Sequence, residues 1–391
     1  MAAAPLSTTL TAGIQQPHPL KGIVSTSDDP TCCAACSAPF QDLGQAIVSF
    51  CCGRGVCDSC FDVEDELKHC PQCNSPSSQT SKEIVACLKK HSKKGRPWAQ
   101  ANLAKLYYVG DEIRRSPSES LHWNRQAAKR GHPAAIAVLG GRFLFGAEGC
   151  PVDLRQSQKY FEAGLKASKK SFTHIYESCQ KGLVEIAERH CGTKSFEKAR
   201  MILLPLVEEG IGKAQSLLGD AILQDYEEGL PYRDHLDRFS SALFWYSSAA
   251  FAVERDAAAL GNAEHSAMVC CETLQKYAQA KFWARFAKKT LRHPRLNSEN
   301  RIARVQKLVS IQRKLRDLRD TCGGCGAEFE GKERKFCRAC RAYCYCSREC
   351  QKMHWNRKKD GHREDCKAAS ELKQKMKEKK KVEAIKASES K

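Results

Sequence analysis

Cysteine is the residue type best placed to do chemistry in this 391-residue sequence, which carries 23 of them. Nine lie between Cys32 and Cys73, and eight lie between Cys322 and Cys366. Many form Cys-x2-Cys pairs, and such a pair offers two thiolates from one tight turn to a tetrahedral Zn²⁺ ion. Residues 1–20 lack the basic segment with which a secretory signal begins, so the dense cysteines predict metal sites rather than disulfide bonds.

The first cysteine-dense stretch contains four pairs in close succession. They are Cys33 and Cys36, Cys51 and Cys52, Cys57 and Cys60, and Cys70 and Cys73. Eight thiolates suffice for two tetrahedral zinc sites. A segment this short cannot bury enough apolar surface to fold alone, so we expect bound zinc to stabilise it by on the order of 10–16 kcal/mol.

The order of these pairs resembles the RING finger of the all-cysteine class. In that family the first and third pairs share one zinc ion, and the second and fourth pairs share the other. The resemblance therefore implies one site made of Cys33, Cys36, Cys57 and Cys60. It implies a second site made of Cys51, Cys52, Cys70 and Cys73. Cys32 stands beside Cys33 and could take its place as the first ligand, so that assignment stays open.

The second cysteine-dense stretch has a longer and more specific pattern. Its ligand pairs are Cys322 and Cys325, Cys337 and Cys340, Cys346 and Cys350, and His362 and Cys366. The last two pairs are spaced i, i+4, which places both donors of a pair on one face of a helix. Together with the segment from Tyr345 to Gln351 and with Trp355, this pattern resembles the MYND zinc finger.

The ligands of MYND fingers are interleaved, and the resemblance implies two further zinc sites and four per chain. One site would be Cys322, Cys325, Cys346 and Cys350, and the other would be Cys337, Cys340, His362 and Cys366. The spacing from Trp355 to His362 is longer than is usual in the family, and we interpret Asn356 to Gly361 as a loop. Cys344 stands where the family often has a large residue, so we expect it not to bind metal.

MYND fingers bind short proline-containing peptides, and the resemblance places such a groove at Gln351 and Trp355. These two residues lie four apart on the helix expected after Cys350, hence on the same side. An indole face stacks on a proline ring, and an amide can hydrogen-bond to the peptide backbone. The alternative is that Trp355 packs the small core and Gln351 is simply solvated.

RING fingers most often bind a ubiquitin-conjugating enzyme, which makes a RING-type ubiquitin ligase the alternative function. Such docking uses an apolar surface and benefits from a cation after the last cysteine. Here the first knuckle holds Ala34 and Ala35, the segment from Phe61 to Glu66 is mostly acidic, and Asn74 follows Cys73. These departures favour a structural or protein-binding module over an active ligase.

The middle of the chain repeats itself with helical periodicity. Residues 95–110 align with residues 131–146 at an offset of 36, and a third copy begins at Gly210. The other half of the unit, a Trp followed by alanine, recurs at 121–128, 243–250 and 281–287. Such periods predict two-helix units stacked as a solenoid. The pattern resembles the Sel-one-like cousins of tetratricopeptide repeats, and an irregular all-α bundle is the alternative.

These patterns predict a mainly α protein, an α-solenoid of two-helix repeats flanked by two small cross-braced zinc-binding domains. The expected order is a disordered N-terminus over 1–31, a RING-like zinc finger over 32–75, a linker over 76–95, a helical repeat solenoid over 96–318, a MYND zinc finger over 321–366 and a basic tail over 367–391. The tail alternates Lys and Glu with few apolar residues, so we expect a fraying helix or a solvated extension.

Charge and hydropathy exclude several classes of function. The formal net charge is +19 and is concentrated after residue 285. Four filled zinc sites would lower it to about +12, which is too modest to indicate nucleic acid as a partner. Aromatic residues for stacking on bases are absent from residue 287 to the second cysteine-dense stretch. No apolar run is long enough to predict a membrane span. No phosphate-binding glycine loop or nucleophile–base signature suggests an enzyme.

The sequence therefore predicts a zinc-binding scaffold for protein–protein interaction in the cytoplasm or the nucleus. The MYND groove and the solenoid would each capture a segment of a partner protein. A ubiquitin-conjugating enzyme is the further partner under the ligase alternative. Histidines of the helical region have no paired donors, so we expect packing or surface roles rather than metal binding for His122, His132, His174, His190, His235 and His265.

Overall fold

The structure is a computed structural model of the chain. It describes residues 80–389 except 111–112, 148, 169–172, 226–231, 253–256, 292–297, 330–333 and 358–360. Before residue 80 it describes positions 33, 47–48, 51–53, 55–57, 60, 69–70 and 73–76. The N-terminal segment 1–31, predicted to be disordered, therefore lies outside the described residues.

The described residues form fourteen helices and two short antiparallel ribbons. The helices are α1 (Ser81–Lys93), α2 (Pro97–Val109), α3 (Pro117–Lys129), α4 (Pro133–Phe145), α5 (Leu154–Ser168), α6 (Thr173–Gly192), α7 (Phe196–Glu208), α8 (Gly212–Gln224), α9 (Tyr232–Phe251), α10 (Ala257–Thr273), α11 (Tyr277–Thr290), α12 (Ser298–Asp320), α13 (Arg348–Asn356) and α14 (His362–Glu389). The ribbons pair β1 (Ile47–Val48) with β2 (Gly55–Val56), and β3 (Lys335–Phe336) with β4 (Cys344–Tyr345). None of these helices combines the length and the apolar composition that crossing a lipid bilayer requires.

The chain divides into two compact units, Met1–Gly182 and Leu183–Lys391. In the first unit, α2 packs against α3 and α4 packs against α5. In the second unit, α8 packs against α9 and α10 packs against α11. The fold class predicted from the sequence, a mainly α chain of tandem two-helix units with cysteine clusters towards both ends, is confirmed.

The paired helices begin and end where the local sequence dictates. Pro97, Pro117 and Pro133 each occupy the first turn of a helix, where the missing N–H has no helical partner to lose. Gly110 and Gly146 follow α2 and α4 in the left-handed conformation, with φ of 84° and 70°. Glycine adopts this conformation without a steric penalty, so a glycine ends the first helix of both helix pairs in the Met1–Gly182 unit.

Small residues bring helices into close contact in the Met1–Gly182 unit. The buried Ser120 hydroxyl donates to the Ala104 carbonyl at 2.8 Å, and the Ser157 hydroxyl donates to the Gly140 carbonyl at the same distance. A Cβ on Gly140 would come within 2.7 Å of the Phe161 ring, so this ring lies directly on the helix backbone. A serine–carbonyl bond between paired helices is therefore a repeated element of this unit.

The Leu183–Lys391 unit shows the equivalent aromatic contact. A Cβ on Gly219 would come within 2.8 Å of the Tyr246 ring, whose hydroxyl donates to Asp220 Oδ1 at 2.6 Å. Tyr246 and Trp283 are 1% and 0% exposed and belong to one hydrophobic core. Gly219 in α8 thus performs for Tyr246 the function that Gly140 performs for an aromatic ring in the other unit.

Helix α1 occupies most of the stretch that we predicted as a linker over 76–95. Thr80 caps it, because its hydroxyl accepts the Glu83 N–H at 3.4 Å and the Glu83 carboxylate accepts the Thr80 N–H at 2.8 Å. This reciprocal pair is a capping box. Leu88 is fully buried and packs with Leu103 of α2. The helical region therefore starts before the predicted linker ends.

Helix α14 covers residues 367–389 of the stretch that we predicted as a basic tail over 367–391, and it is not simply solvated. Ala369 and Met376 are buried, and Met376 joins the hydrophobic core of its unit. Lys379 Nζ donates to the carbonyls of Ala250 at 3.0 Å and Ala252 at 2.9 Å. Sparse apolar residues at helical spacing are sufficient to dock this helix, although charged residues dominate its composition.

Candidate metal centres

The second cysteine-dense stretch, residues 321–366, is called the C-terminal finger below, and it gathers four thiols at a first site. The members are Cys322, Cys325, Cys346 and Cys350. Cys346 Sγ lies 3.6 Å from Cys322 Sγ and 3.8 Å from Cys325 Sγ. It lies 3.4 Å from Cys350 Sγ. Thiolates around a tetrahedral Zn²⁺ ion stand about 3.8 Å apart, since Zn–S bonds are near 2.3 Å, so the spacing fits this ion.

Local structure holds the thiols of the first site in place. Gly324 lets the first knuckle approach the next helix, since a Cβ there would meet the Cys350 carbonyl oxygen at 2.5 Å. Ser347 caps α13 by accepting the Cys350 N–H at 3.1 Å. The backbone N–H of Cys346 donates to Cys322 Sγ at 3.5 Å. Such a donor stabilises the thiolate that a metal requires.

A second site lies in the same finger, and its members are all buried. They are Cys337, Cys340, His362 and Cys366. The Sγ atoms of Cys337 and Cys366 are 3.8 Å apart, and Cys340 Sγ lies 3.5 Å from His362 Nε2. A tetrahedral zinc ion with Zn–N near 2.0–2.1 Å would separate sulfur from nitrogen by about 3.6 Å. Three thiolates and one imidazole at these distances fit a structural zinc site.

Tyr345 orients the imidazole of the second site. Its hydroxyl lies 2.9 Å from His362 Nδ1 and 3.0 Å from His354 Nδ1. Tyr345 lies on β4 and is fully buried. With Nδ1 engaged in this way, Nε2 of His362 faces Cys340. A hydrogen bond to the distal nitrogen of a ligating histidine is the usual means of fixing its ring in zinc sites.

The electrostatics of the finger favour a thiolate at Cys322 and a positive charge on His362. Burial raises the pKa of Cys322, but backbone N–H donors, that of Cys325 foremost, outweigh it and lower the pKa to about 6. Burial lowers the pKa of His362, whereas the neighbouring Cys337 and Cys340 raise it to about 9. The thiols around His362 therefore stabilise a positive charge, and three sulfurs with one imidazole nitrogen are donors that suit a metal ion.

The second site is also tied to helix α11. Asp365, between His362 and Cys366, is buried and accepts the N–H groups of Ala278 at 2.6 Å and Gln279 at 3.0 Å. Donors in the first turn of a helix have no partner within that helix. Asp365 therefore caps α11, and the segment that carries two of the candidate ligands also completes a helix of the repeat region.

The described parts of the first cysteine-dense stretch gather into two groups that match the predicted pairing. One group is Cys51, Cys52, Cys70 and Cys73, and the other is Cys33, Cys57 and Cys60. Sγ–Sγ distances in the first group are 3.3 Å from Cys51 to Cys73 and 3.9 Å from Cys52 to Cys70. Cys36, the predicted fourth member of the other group, and Cys32 lie outside the described residues. The described cysteines form no disulfide bond with one another.

The two predicted groove residues, Gln351 and Trp355, lie one turn apart on α13. Both are half-buried. Trp355 packs against the hydrophobic core of the finger and meets the His362 ring edge-on, with centroids 5.3 Å apart. Its indole therefore contributes to the core and still keeps part of its surface open. The apolar and acidic segments 34–35 and 61–66, which bear on RING docking, lie outside the described residues.

Spacing alone did not identify the roles of the residues that support the ligands. Tyr345 belongs to the motif, but the motif does not predict the role of its hydroxyl, and no pattern in the sequence indicates His354. The pairing of Asp365 with Ala278 spans 87 residues and leaves no local signal. Cys344, which we predicted not to bind metal, is buried and belongs to neither group of the finger.

Comparison with known proteins bears on the helical region. The Sel1 repeat family model matches residues 99–132, 133–167 and 212–250, which span three of the helix pairs. A Sel1 repeat protein from Oxalobacter formigenes, of known structure, is 19% identical, with 54% of this chain and 80% of that chain covered and a TM-score of 0.37. A protective antigen of uropathogenic Escherichia coli that displays an SLR fold is 16% identical, with 66% and 55% covered and a TM-score of 0.34. No curated protein matches.

The family match supports the predicted Sel-one-like repeats. Its first two segments cover α2–α3 and α4–α5, and its third covers α8–α9. Repeats of this kind generally mediate protein–protein interactions. The Sel1-type repeats of the helical region therefore indicate a scaffold for protein–protein interaction.

Proposed function

We propose that this protein is a zinc-dependent scaffold for protein–protein interaction. The observation that carries the proposal is the spacing of the donor atoms in the C-terminal finger, where two interleaved sets of four match the separations around tetrahedral Zn²⁺. Each set is filled by four side chains, so the bound metal would supply folding free energy and leave no open position for a substrate. The finger would then be a rigid platform for a partner.

We assign the finger to the MYND type and its peptide groove to Gln351 and Trp355. The support is their position one turn apart on α13, the half-exposed indole and the contact of that indole with the His362 ring. Zinc at the second site would thereby fix the ring that supports the groove. A proline-containing segment of a partner protein is the ligand that an indole face and an amide together recognise.

We assign the first cysteine-dense stretch to a RING-like module with two further zinc ions. The support is the proximity of the sulfur atoms that the pairing rule groups together, within the part of this stretch that the structure describes. Ubiquitin ligase activity remains the alternative drawn from the sequence, and none of the described residues adds to the case for it. The repeat region would present a second surface to the same partner, so that capture is bivalent.

Elemental analysis of the purified chain tests the zinc assignment. We expect four equivalents of zinc per chain. Cys346→Ser and Cys366→Ser should each lose one equivalent, because each removes one thiolate from a different set. Cys344→Ser is the matched control, since this buried cysteine belongs to neither set, and it should keep all four. Equal zinc content in all three variants would refute the assignment.

Fluorescence anisotropy with a panel of short proline-containing peptides tests the groove. Gln351→Ala and Trp355→Ala should weaken binding of any peptide that the parent binds. The exposed Lys352 lies between them on α13, and Lys352→Ala should leave affinity unchanged. Zinc content shows whether Trp355→Ala has disturbed the finger. If Gln351→Ala binds as the parent does, or no peptide in the panel binds, the groove is not at these residues.

A further inference from the structure

A cationic cavity of about 290 Å³ lies against the C-terminal finger. Five basic side chains line it: Lys281, Arg285, Arg319, Arg341 and Lys373. Among the described residues that line it, none is acidic. Neither Gln351 nor Trp355 takes part, so the cavity is separate from the proposed peptide groove and extends beyond the function proposed above.

Helices α11, α12 and α14 of the Leu183–Lys391 unit line this cavity, together with β3 and the loop that follows it. Lys281 and Arg285 lie one turn apart on α11, and the Lys281 ammonium donates to the Arg341 carbonyl. Lys373 of α14 donates to the Ala339 carbonyl at 2.6 Å. These bonds attach two ammonium groups to the loop between β3 and β4. The fold therefore holds the ammonium groups of Lys281 and Lys373 in the cavity wall.

Arg319, at the end of α12, leaves a donor unused. Its Nε is buried and has no hydrogen-bond partner among the described residues. A buried N–H without an acceptor is destabilising, so an acceptor from a ligand would be stabilising. Cys340 also lines the cavity, and a filled Cys3His zinc site carries a charge of about −1. Five cations exceed it, so the cavity keeps an excess of about +4.

We propose that this cavity binds a phosphate monoester, carried by a phosphorylated side chain of a partner protein. Such a group carries about −1.5 to −2 charges at neutral pH and three strong acceptor oxygens. It matches the cationic excess better than a single carboxylate does. Guanidinium groups present paired donors that suit phosphate oxygens, and clusters of arginine are the common means of reading phosphorylated segments.

The composition of the lining favours a phosphorylated side chain over a nucleic acid strand. A phosphorylated side chain can enter a cavity end-on, whereas a nucleic acid strand needs an open groove and aromatic residues on which bases stack. Phe336 is 38% exposed and is one of two aromatic residues in the lining, while Phe282 is buried. One partly exposed ring in the lining suits an apolar contact with the residue next to a phosphorylated side chain.

The test uses the zinc-loaded full chain and a fluorescein-labelled peptide with a central phosphoserine between alanines. We expect the unphosphorylated peptide to bind at least tenfold more weakly. Inorganic phosphate should compete at higher concentration, which shows that the peptide adds contacts beyond the anion. Competition by inorganic phosphate at the same concentration as the peptide would overturn the assignment to a protein side chain. A single-stranded oligonucleotide that displaces the peptide at lower concentration would overturn it in favour of nucleic acid.

Paired charge-neutralising variants locate the binding. Arg319→Gln with Lys373→Gln should weaken phosphopeptide binding at least tenfold. Arg316→Gln with Lys375→Gln removes two exposed cations from the same helices outside the cavity, and affinity should stay within twofold. Zinc content and the thermal midpoint show whether the first pair still folds. Arg285→Gln, at an exposed position, serves as the second probe of the cavity. Parental affinity in both cavity variants would overturn the proposal.

Discussion

At the scale of single residues, His132 links protonation to helix stability. Its Nδ1 accepts the Ala135 N–H at 3.4 Å and so caps α4. Only a neutral imidazole can accept this bond. Burial lowers the pKa of His132 to about 4, from an ordinary value of 6.5. The unfolded chain takes up this proton at higher pH than the folded chain, so stability is complete above pH 6.5 and falls as the pH declines towards 4.

His132→Asn should therefore flatten the acid dependence of stability. Asparagine keeps a side-chain acceptor at the cap and does not titrate. We expect the thermal midpoint of the variant to fall less than that of the parent between pH 7 and pH 4.5, measured by circular dichroism. His122→Asn alters an exposed histidine and should follow the parental curve. The same acid dependence in His132→Asn and in the parent would contradict this role.

The grouping of the candidate ligands is the feature that the sequence predicts best, and the contacts that support them are those it predicts least. Thiol spacing alone groups the cysteines into pairs, because each knuckle must present two sulfurs to one ion. No sequence feature near Tyr345 predicts that its hydroxyl lies within hydrogen-bond distance of both His354 and His362. Such supporting contacts depend on the folded path of the chain, whereas ligand pairs depend on a local turn.

At the scale of secondary structure, α14 shows how few apolar residues can dock a helix. Met376→Ala should lower the free energy of unfolding by about 2 kcal/mol, because it removes a buried side chain from the core. Val382→Ala, at a 49% exposed position further along α14, should change it by about 0.5 kcal/mol or less. Urea unfolding of both variants makes the comparison. If Met376→Ala changes the free energy of unfolding as little as Val382→Ala does, α14 is solvated at Met376 as well, as its composition suggested.

The repeat helices were predictable because their boundaries and contacts use a few residue types. Proline at the first turn, glycine at the end and a small residue opposite an aromatic ring recur at fixed intervals, as Gly140 and Gly219 show. The bounds of α1 and α14 were harder to predict from the sequence. In both, polar composition concealed buried positions: Leu88 packs against the following helix, and Met376 packs against distant parts of the chain.

At the scale of the whole Leu183–Lys391 unit, the hydrogen bonds of Asp365 connect the finger to the repeat helices, and we expect them to couple the stability of the two parts. Removal of zinc with a strong chelator should free the start of α14 and thereby uncap α11. We expect faster hydrogen exchange at the amides of Ala278 and Gln279, which Asp365 accepts in the folded chain. Exchange followed by mass spectrometry at peptide resolution measures the change.

Asp365→Ala separates the cap from the metal. It should raise exchange at the start of α11 while the zinc content stays at the parental value, since Asp365 is not in either ligand set. Glu364→Ala changes an exposed neighbour and should leave both quantities unchanged. Unaltered protection of α11 in chelated protein and in Asp365→Ala would show that the two parts fold independently.

The hydrogen bonds of the Asp365 carboxylate to α11 also restrict which chimeric proteins can fold. A chimera that received residues 321–391 on another helical array would need backbone amides at the place where α11 begins, and a hydrophobic recess for Met376. The present chain truncated after residue 320 would leave the α11 amides and the recess for Met376 exposed to water. Transplantation should therefore succeed only when α11 travels with its cap.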